Sequence, residues 1–130
     1  MKALKKSSKV FLIVLIILII AFFVVKSINV KEVEVSNIEL DMIEDGIYTG
    51  GHDSTLVKAR VSVEVRSHTI KTITIDEHQT GLGKKAEAII DKIIYEQSLQ
   101  VDGITGATVS SNTIKKAVED ALQKGSYNNN

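Results

Sequence analysis

The sequence predicts an α+β domain, an antiparallel sheet with two packed helices, behind one N-terminal transmembrane helix. Three observations carry this expectation. Val10 to Val25 is an unbroken apolar run between Lys9 and Lys26. Val57, Ala59, Val61, Val63 and Val65 alternate with Lys58, Arg60, Ser62, Glu64 and Arg66, the period-two pattern of a strand with one buried and one wet face. Ala86, Ile89, Ile90, Ile93, Ile94 and Gln97, and later Ile114, Ala117, Val118, Ala121 and Leu122, recur at i, i+3, i+4, i+7 and i+8, as helices with one apolar stripe do.

The elements follow in order. Residues 1–9 form a basic segment with Lys2, Lys5, Lys6 and Lys9 and no acid. Residues 10–25 are the expected anchor. Sixteen residues at ~1.5 Å each reach about 24 Å, slightly short of a ~30 Å hydrocarbon core, and Lys9 and Lys26 can snorkel to close the gap. A buried core helix would show a polar face, and this run has none. A cleaved signal needs a small-x-small site, which Phe22-Phe23-Val24-Val25-Lys26 does not offer. The lysine surplus before the run orients it with the N-terminus in the cytoplasm and the remaining chain on the extracytoplasmic side of the cell membrane. Residues 26–44 read as a stalk, with a short strand where Val33 and Val35 alternate with Glu32 and Glu34.

The main domain is expected over 45–125. Ile47-Tyr48-Thr49 reads as a strand leading to Gly50-Gly51, and Arg66-Ser67-His68 as a hairpin turn. Ile70, Thr72, Ile73, Thr74 and Ile75 supply a β-branched return strand. Gly125 suits the end of the second helix, and the polar residues 126–130 form a tail expected to fray.

Composition narrows the chemistry. The 130 residues include no cysteine, which excludes disulfides, iron–sulfur clusters, thiolate zinc sites, thioether haem and a cysteine nucleophile. With the four N-terminal lysines set aside, twelve basic groups face sixteen acidic ones, a net of −4. That balance lacks the basic surplus a nucleic-acid binder needs. His52, His68 and His78 have no metal-ligand spacing and read as surface or turn residues. No arrangement for substrate turnover is evident. Ser110 lacks His–Asp partners and reads as a helix cap, and Tyr95 as a packing residue.

The two joints before the helices hold the remaining polar and glycine-rich residues. His78-Gln79-Thr80-Gly81-Leu82-Gly83-Lys84-Lys85 allows close backbone approach, and free amides at a helix start favour an anion. A Gly-x-Gly before a helix is also an ordinary turn. Lys84 and Lys85 are either a solvated pair or an anion-favouring one. Asp102-Gly103-Ile104-Thr105-Gly106-Ala107-Thr108-Val109-Ser110-Ser111 is small and rich in hydroxyls. Taken alone it reads first as a loop with a serine N-cap, and second as a place where Thr108, helped by Ser110 or Ser111, holds a phosphate against a helix N-terminus.

Asp45-Gly46-Ile47-Tyr48-Thr49-Gly50, then Thr80-Gly81-Leu82-Gly83, then Asp102-Gly103-Ile104-Thr105-Gly106-Ala107-Thr108, in that order, resemble the FMN-binding domain family. This domain occurs in the FMN-carrying subunits of ion-pumping NADH:quinone and ferredoxin:NAD oxidoreductases and in small membrane-anchored flavoproteins. The resemblance runs from about Asp45 to Leu122 and implies FMN held covalently by Thr108. A Mg-dependent flavin transferase would take FAD, release AMP and esterify the FMN phosphate to that hydroxyl. Asp102, Thr105, Gly106 and Ala107 would serve transferase recognition and leave room for the linker, and Ser110 and Ser111 would add donors. Thr80, Gly81, Leu82 and Gly83 resemble the Thr-Pro-Gly-Leu-Gly loop that lies against the flavin ring, without its proline. His78 is nearest that loop and best placed of the histidines to tune the flavin. Tyr48 and Gly50 belong to the same pattern, with no contact assigned.

The function so implied is a membrane-anchored, extracytoplasmic electron carrier, more an electron-transfer flavoprotein than a turnover enzyme. It would take electrons from a quinol- or flavoprotein-type donor and pass them to another carrier or an extracellular acceptor. The rival class is a membrane-tethered interaction module of the same fold without flavin, with a noncovalent FMN binder between them.

Overall fold

A computed structural model describes residues 2–27, 33–80 and 83–126. The chain divides into two units, 1–31 and 32–130. The first contains α1 (Lys2–Ser27). Its stretch Ser7–Ser27 is 21 residues long and apolar enough to cross a membrane. At ~1.5 Å per residue it reaches about 31 Å, so the ends of the helix supply the length that Val10–Val25 alone lacks. Phe11, Phe22, Phe23 and Val25 stand open to the surroundings, as does every described side chain of this helix.

The second unit is α+β, as the sequence predicts. Its strands β1 (Gly46–Asp53), β2 (Lys58–Arg66) and β3 (Thr69–Gln79) form one antiparallel sheet in the order β1-β2-β3. Ala59, Val61, Val63 and Val65 of β2 are buried, as the alternation requires. The β2–β3 turn places Ser67 at φ 51° and His68 at φ 57°. Two successive left-handed residues match the twist of a tight hairpin, although neither is glycine. The N–H of Ser67 donates to Asp45 Oδ1 at 2.7 Å, which ties this turn to the start of β1.

Two register shifts decide which way β3 faces. Glu64 pairs with Thr72 but Val65 with Ile70, and Arg60 pairs with Glu77 but Val61 with Ile75. Each bulge inserts one unpaired residue, Lys71 and then Asp76, and flips the alternation. Ile70, Ile73 and Ile75 therefore all serve the core, and His78 turns inward where strict alternation would have sent Glu77. The side chain of His78 is only 2% exposed, which corrects the sequence expectation of a surface or turn histidine.

The sheet's inner face is covered by α3 (Thr108–Lys124) and by a 3-10 helix, Lys84–Ala88, that runs on into α2 (Ile89–Glu96). The predicted stripe is present: Ala86, Ile89 and Ile93 are buried, with Ile90 and Ile94 packed beside them. Tyr95 is 85% exposed and does not pack, contrary to expectation. Gln97 leaves the helix at φ 52° instead of extending the stripe. Its amide mimics a neighbouring strand. Oε1 accepts from the N–H of Ile70 at 2.8 Å and Nε2 donates to the Ile70 carbonyl at 3.0 Å, which caps the free edge of β3.

On α3, Ile114, Ala117, Val118, Ala121 and Leu122 face the sheet. The close approach is at Gly50 of β1, where a built Cβ would lie 2.2 Å from both the Ala117 carbonyl oxygen and the Ala121 nitrogen. The contact left unassigned for Gly50 is thus the crossing of α3 over β1. Tyr48 packs near Gly125 and Ile43, and its hydroxyl donates to the Glu44 carbonyl at 2.9 Å.

Residues 33–39 form no strand. Val35 and Ile38 pack on the core instead, and Glu119 Oε2 accepts the N–H of Ser36 at 3.2 Å. Gln100 Nε2 donates to the Val35 carbonyl at 2.9 Å. Residues 33–39 of the expected stalk are therefore part of the second unit, while Lys26 and Ser27 end α1. Ser126 of the expected 126–130 tail does not fray but pairs with Ile43 in an isolated bridge, while 127–130 and residues 28–32 of the stalk lie outside the described residues.

Asp120 supplies a pH-dependent tie between α3 and β1. Burial works against its charge, but the Gly51 N–H at 3.0 Å and the Lys124 ammonium at 3.2 Å prevail and hold its carboxyl below the ordinary 3.8. A carboxyl with a lowered folded-state pKa contributes stability above its unfolded value, and that contribution fades as pH falls through the folded one. Asp120→Asn is expected to lower the urea midpoint at pH 7 by a small amount, since the pair is solvent-screened. The gap should narrow as pH falls below 3.8 and through the lowered folded-state value, where wild type loses the charge too. A gap unchanged with pH would contradict this role.

Candidate functional site

The site is assembled where both glycine-containing joints meet the first turn of α3. Ala107 is the N-cap residue, and no side chain caps the helix. Alanine forgoes the ~1 kcal/mol that serine, threonine or aspartate typically contributes there. The helix also has no acid in its first turn. Its leading N–H groups thus meet neither a capping oxygen nor a carboxylate, and they carry the positive end of the helix dipole. Thr108 is the first helical residue and is exposed, and its hydroxyl has no hydrogen-bond partner among the described residues.

Ser110 and Ser111 lie inside the helix, not at its cap, because the helix begins three residues earlier than a cap at Ser110 requires. Both are buried. Ser111 Oγ accepts the N–H of Ile104 at 2.9 Å and donates to the Ala107 carbonyl at 2.8 Å. It fixes the loop that delivers Thr108. Within that loop the N–H of Ala107 donates to the Ile104 carbonyl at 2.9 Å, closing a turn through Thr105 and Gly106. Gly106 sits at φ 77°, the conformation that such a turn asks of its third residue and that glycine adopts without strain. Ser111→Ala leaves the half-buried Ile104 N–H without its partner. A loss of about 1–3 kcal/mol is expected in chemical denaturation. A wild-type midpoint would show that the loop does not depend on this bond.

The first joint comes in from the end of β3. Thr80 Oγ1 accepts the N–H of Gly83 at 3.0 Å and lies 3.2 Å from Ser110 Oγ. A Cβ on Gly83 would lie 2.0 Å from Ser110 Oγ and 2.5 Å from Thr80 Oγ1, so only glycine fits. Gly81 and Leu82 lie outside the described residues. A second clasp spans the same loop: His78 Nδ1 is 3.1 Å from Glu87 Oε1, joining β3 to the 3-10 helix. The other ring nitrogen, Nε2, is buried without a partner among the described residues.

The sequence-predicted residues therefore fall into three places. Thr80, Gly83 and Ser110 form one hydrogen-bonded knot. Ser111, Gly103, Ala107 and Thr108 meet at the start of α3, where a Cβ on Gly103 would lie 3.5 Å from Ser111 Cβ and 3.8 Å from Thr108 Cα. Thr105 and Gly106 form the exposed turn beside them. Asp102 stands apart, exposed on the rim of an open cleft of about 610 Å³ that Tyr95 and Gln100 also line. Sequence reasoning left the Glu87 partner of His78 unseen, and the bulges are the reason. No group of histidine, aspartate and glutamate suited to a metal ion occurs among the described residues.

An uncapped helix start, an exposed threonine hydroxyl upon it, and a small-residue turn beside it form a candidate site that could hold an anionic, phosphate-bearing ligand. The donor set fits a flavin mononucleotide phosphate: amides without an acceptor, no nearby acid in the first turn, and glycines where side chains would obstruct. The sequence pattern of the FMN-binding domain matches residues 56–123, just over half the chain. The chain belongs to the FMN-binding domain family. The match takes in β2, β3, both domain helices and both joints, and β1 precedes it. No curated protein and no solved structure gives a significant match.

Proposed function

We propose that this chain carries FMN covalently on Thr108 and relays electrons on the extracytoplasmic side of a membrane. The observation that carries the reading is the exposed Thr108 hydroxyl, without a partner among the described residues, at the uncapped start of α3 in a member of an FMN-binding family. FMN, once bound, supplies one- and two-electron chemistry; the protein supplies tethering, orientation and tuning.

The chain's own residues divide the work. Thr108 provides the ester oxygen. The first amides of α3 offer donors to the remaining phosphate charge. Ser111 holds the Ile104–Ala107 turn, and Thr80 with Ser110 holds the glycine loop against the same helix end. His78 and Glu87 clasp that loop from behind. Asp102, with Gly106 and Ala107, is assigned to recognition by the Mg-dependent flavin transferase. The lysine-rich residues 2–9 before the apolar helix favour a cytoplasmic N-terminus, which would leave the second unit outside. The donor is proposed to be a quinol or flavoprotein at the membrane, and the acceptor another carrier or an extracellular oxidant.

Colour tests the proposal. Protein coexpressed with a flavin transferase is expected to be yellow and to keep its flavin bands in the protein fraction after denaturation. A yellow lost on denaturation would mean noncovalent FMN. A colourless protein would favour an interaction module of the same fold.

A further inference from the structure

We propose that Lys85 is the cation that receives the phosphate at Thr108, an inference that rests on the covalent reading above and names a group nothing else assigns to the site. A Cβ built on Gly106 would lie 2.7 Å from Lys85 Nζ and 3.5 Å from its Cε. The ammonium of the first joint thus lies directly over the turn of the second, two residues before Thr108. It makes no hydrogen bond or ion pair among the described residues, although the chain has as many acids as bases. Its position near the start of the helical run from Lys84 opposes the dipole of its own helix. Lys85 is exposed, and its ammonium, lying over the turn that leads to the uncapped amides of α3, forms with them a convergent anion site.

Gly106 then has two reasons to be glycine. Its φ of 77° suits no other residue as well, and any side chain would displace the ammonium. The step that this arrangement serves balances as follows. The Thr108 oxygen bonds to the FMN-side phosphorus of FAD, the pyrophosphate P–O bond breaks, AMP leaves with the bonding pair, and the hydroxyl proton passes to AMP or solvent. Lys85 acts on both sides of the step. It attracts the anionic pyrophosphate toward Thr108 and afterwards stays beside the diester's remaining charge. Lys84, its equally exposed neighbour, has no such contact with the turn and serves as the control.

The test uses the full chain in detergent with a flavin transferase, Mg²⁺ and subsaturating FAD, following the adduct by intact mass. Lys85→Ala is expected to slow flavinylation roughly 10-fold or more, the worth of a charge-assisted hydrogen bond. Lys85→Arg should restore most of the rate, and Lys84→Ala should stay within about 2-fold of wild type, as a screened surface charge does. The ³¹P resonance of the loaded chain should move in Lys85→Ala, a response that a merely structural role would not give. Equal rates for Lys85→Ala and wild type, or an unmoved ³¹P resonance, would overturn the assignment while leaving the covalent reading intact. Absence of any adduct on wild type would overturn the covalent reading itself, and this inference with it.

Discussion

Thr108→Ala, coexpressed with a flavin transferase, is expected to carry no covalent flavin at all while folding as wild type does. Both halves follow from the same geometry. The hydroxyl is the only part of Thr108 that chemistry at this site requires, and alanine removes it. The side chain is exposed and its oxygen bonds to nothing among the described residues, so its removal breaks no tie. Surface substitutions of this kind shift stability by no more than about 0.5 kcal/mol. Alanine is also a better helix former than threonine. The variant should therefore match wild type in its urea midpoint and differ only in its flavin bands. Covalent flavin that survived in Thr108→Ala would move the attachment to another hydroxyl, with Thr105 the nearest exposed one in sequence.

Gly50→Ala is expected to act in the opposite way, through the fold. The added carbon would stand 2.2 Å from the Ala117 oxygen, 2.2 Å from the Ala121 nitrogen and 2.8 Å from the Ala121 Cα. All three belong to helix backbone, so no rotamer change relieves the clash. Either α3 lifts off β1 or the strand bends. Overpacking ordinarily costs about 1–3 kcal/mol, and a clash with backbone belongs at the upper end or beyond. Against a total stability of roughly 5–15 kcal/mol, that is a large fraction. Flavin loading should suffer as well, because the helix that moves is the one that presents Thr108, Ser110 and Ser111. Gly51→Ala is the matched control. Its Cβ would meet only the Ala59 carbonyl, at an ordinary 3.5 Å, and its midpoint should stay close to wild type. Equal midpoints for Gly50→Ala and wild type would mean that α3 does not cross β1 at this glycine.

These two variants mark what the sequence can and cannot disclose. The alternation of β2 and the stripes of α2 and α3 are local patterns, and local periodicity is what a sequence states directly. The facing of β3 is not local. It depends on two bulges, at Lys71 and Asp76, visible only once the partner strand is in place. For that reason His78 was expected at the surface and is found buried against Glu87. The roles of Ser110 and Ser111 changed for a related reason. Their hydroxyls suggest a cap, but the helix starts at Thr108 and carries both inward, to Thr80 and to Ile104. Gly50 could be noticed in the sequence but not explained, since its partner lies some seventy residues away on α3. The alternation of Val33 and Val35 suggests a strand and does not announce the seat that residues 33–39 take on the domain, which is made by backbone groups meeting Glu119 and Gln100.

The candidate site was legible as two joints and obscure as one place. Each glycine-containing segment permits a plain turn when taken alone. Packed together, they set a hydroxyl, free amides and the Lys85 ammonium around one helix start. The missing cysteines sharpen this further. With thiol chemistry excluded, a covalent cofactor must attach to another kind of side chain, and Thr108 offers a hydroxyl at the helix start itself.

Peptide mass spectrometry of the wild-type chain, purified from cells that contain a flavin transferase, tests the central claim most directly. The account predicts that the proteolytic peptide containing Thr108 carries the added mass of one FMN joined as a phosphodiester, with fragmentation placing it on Thr108. An unmodified Thr108 peptide, recovered in full from protein made in the presence of active transferase, would contradict it.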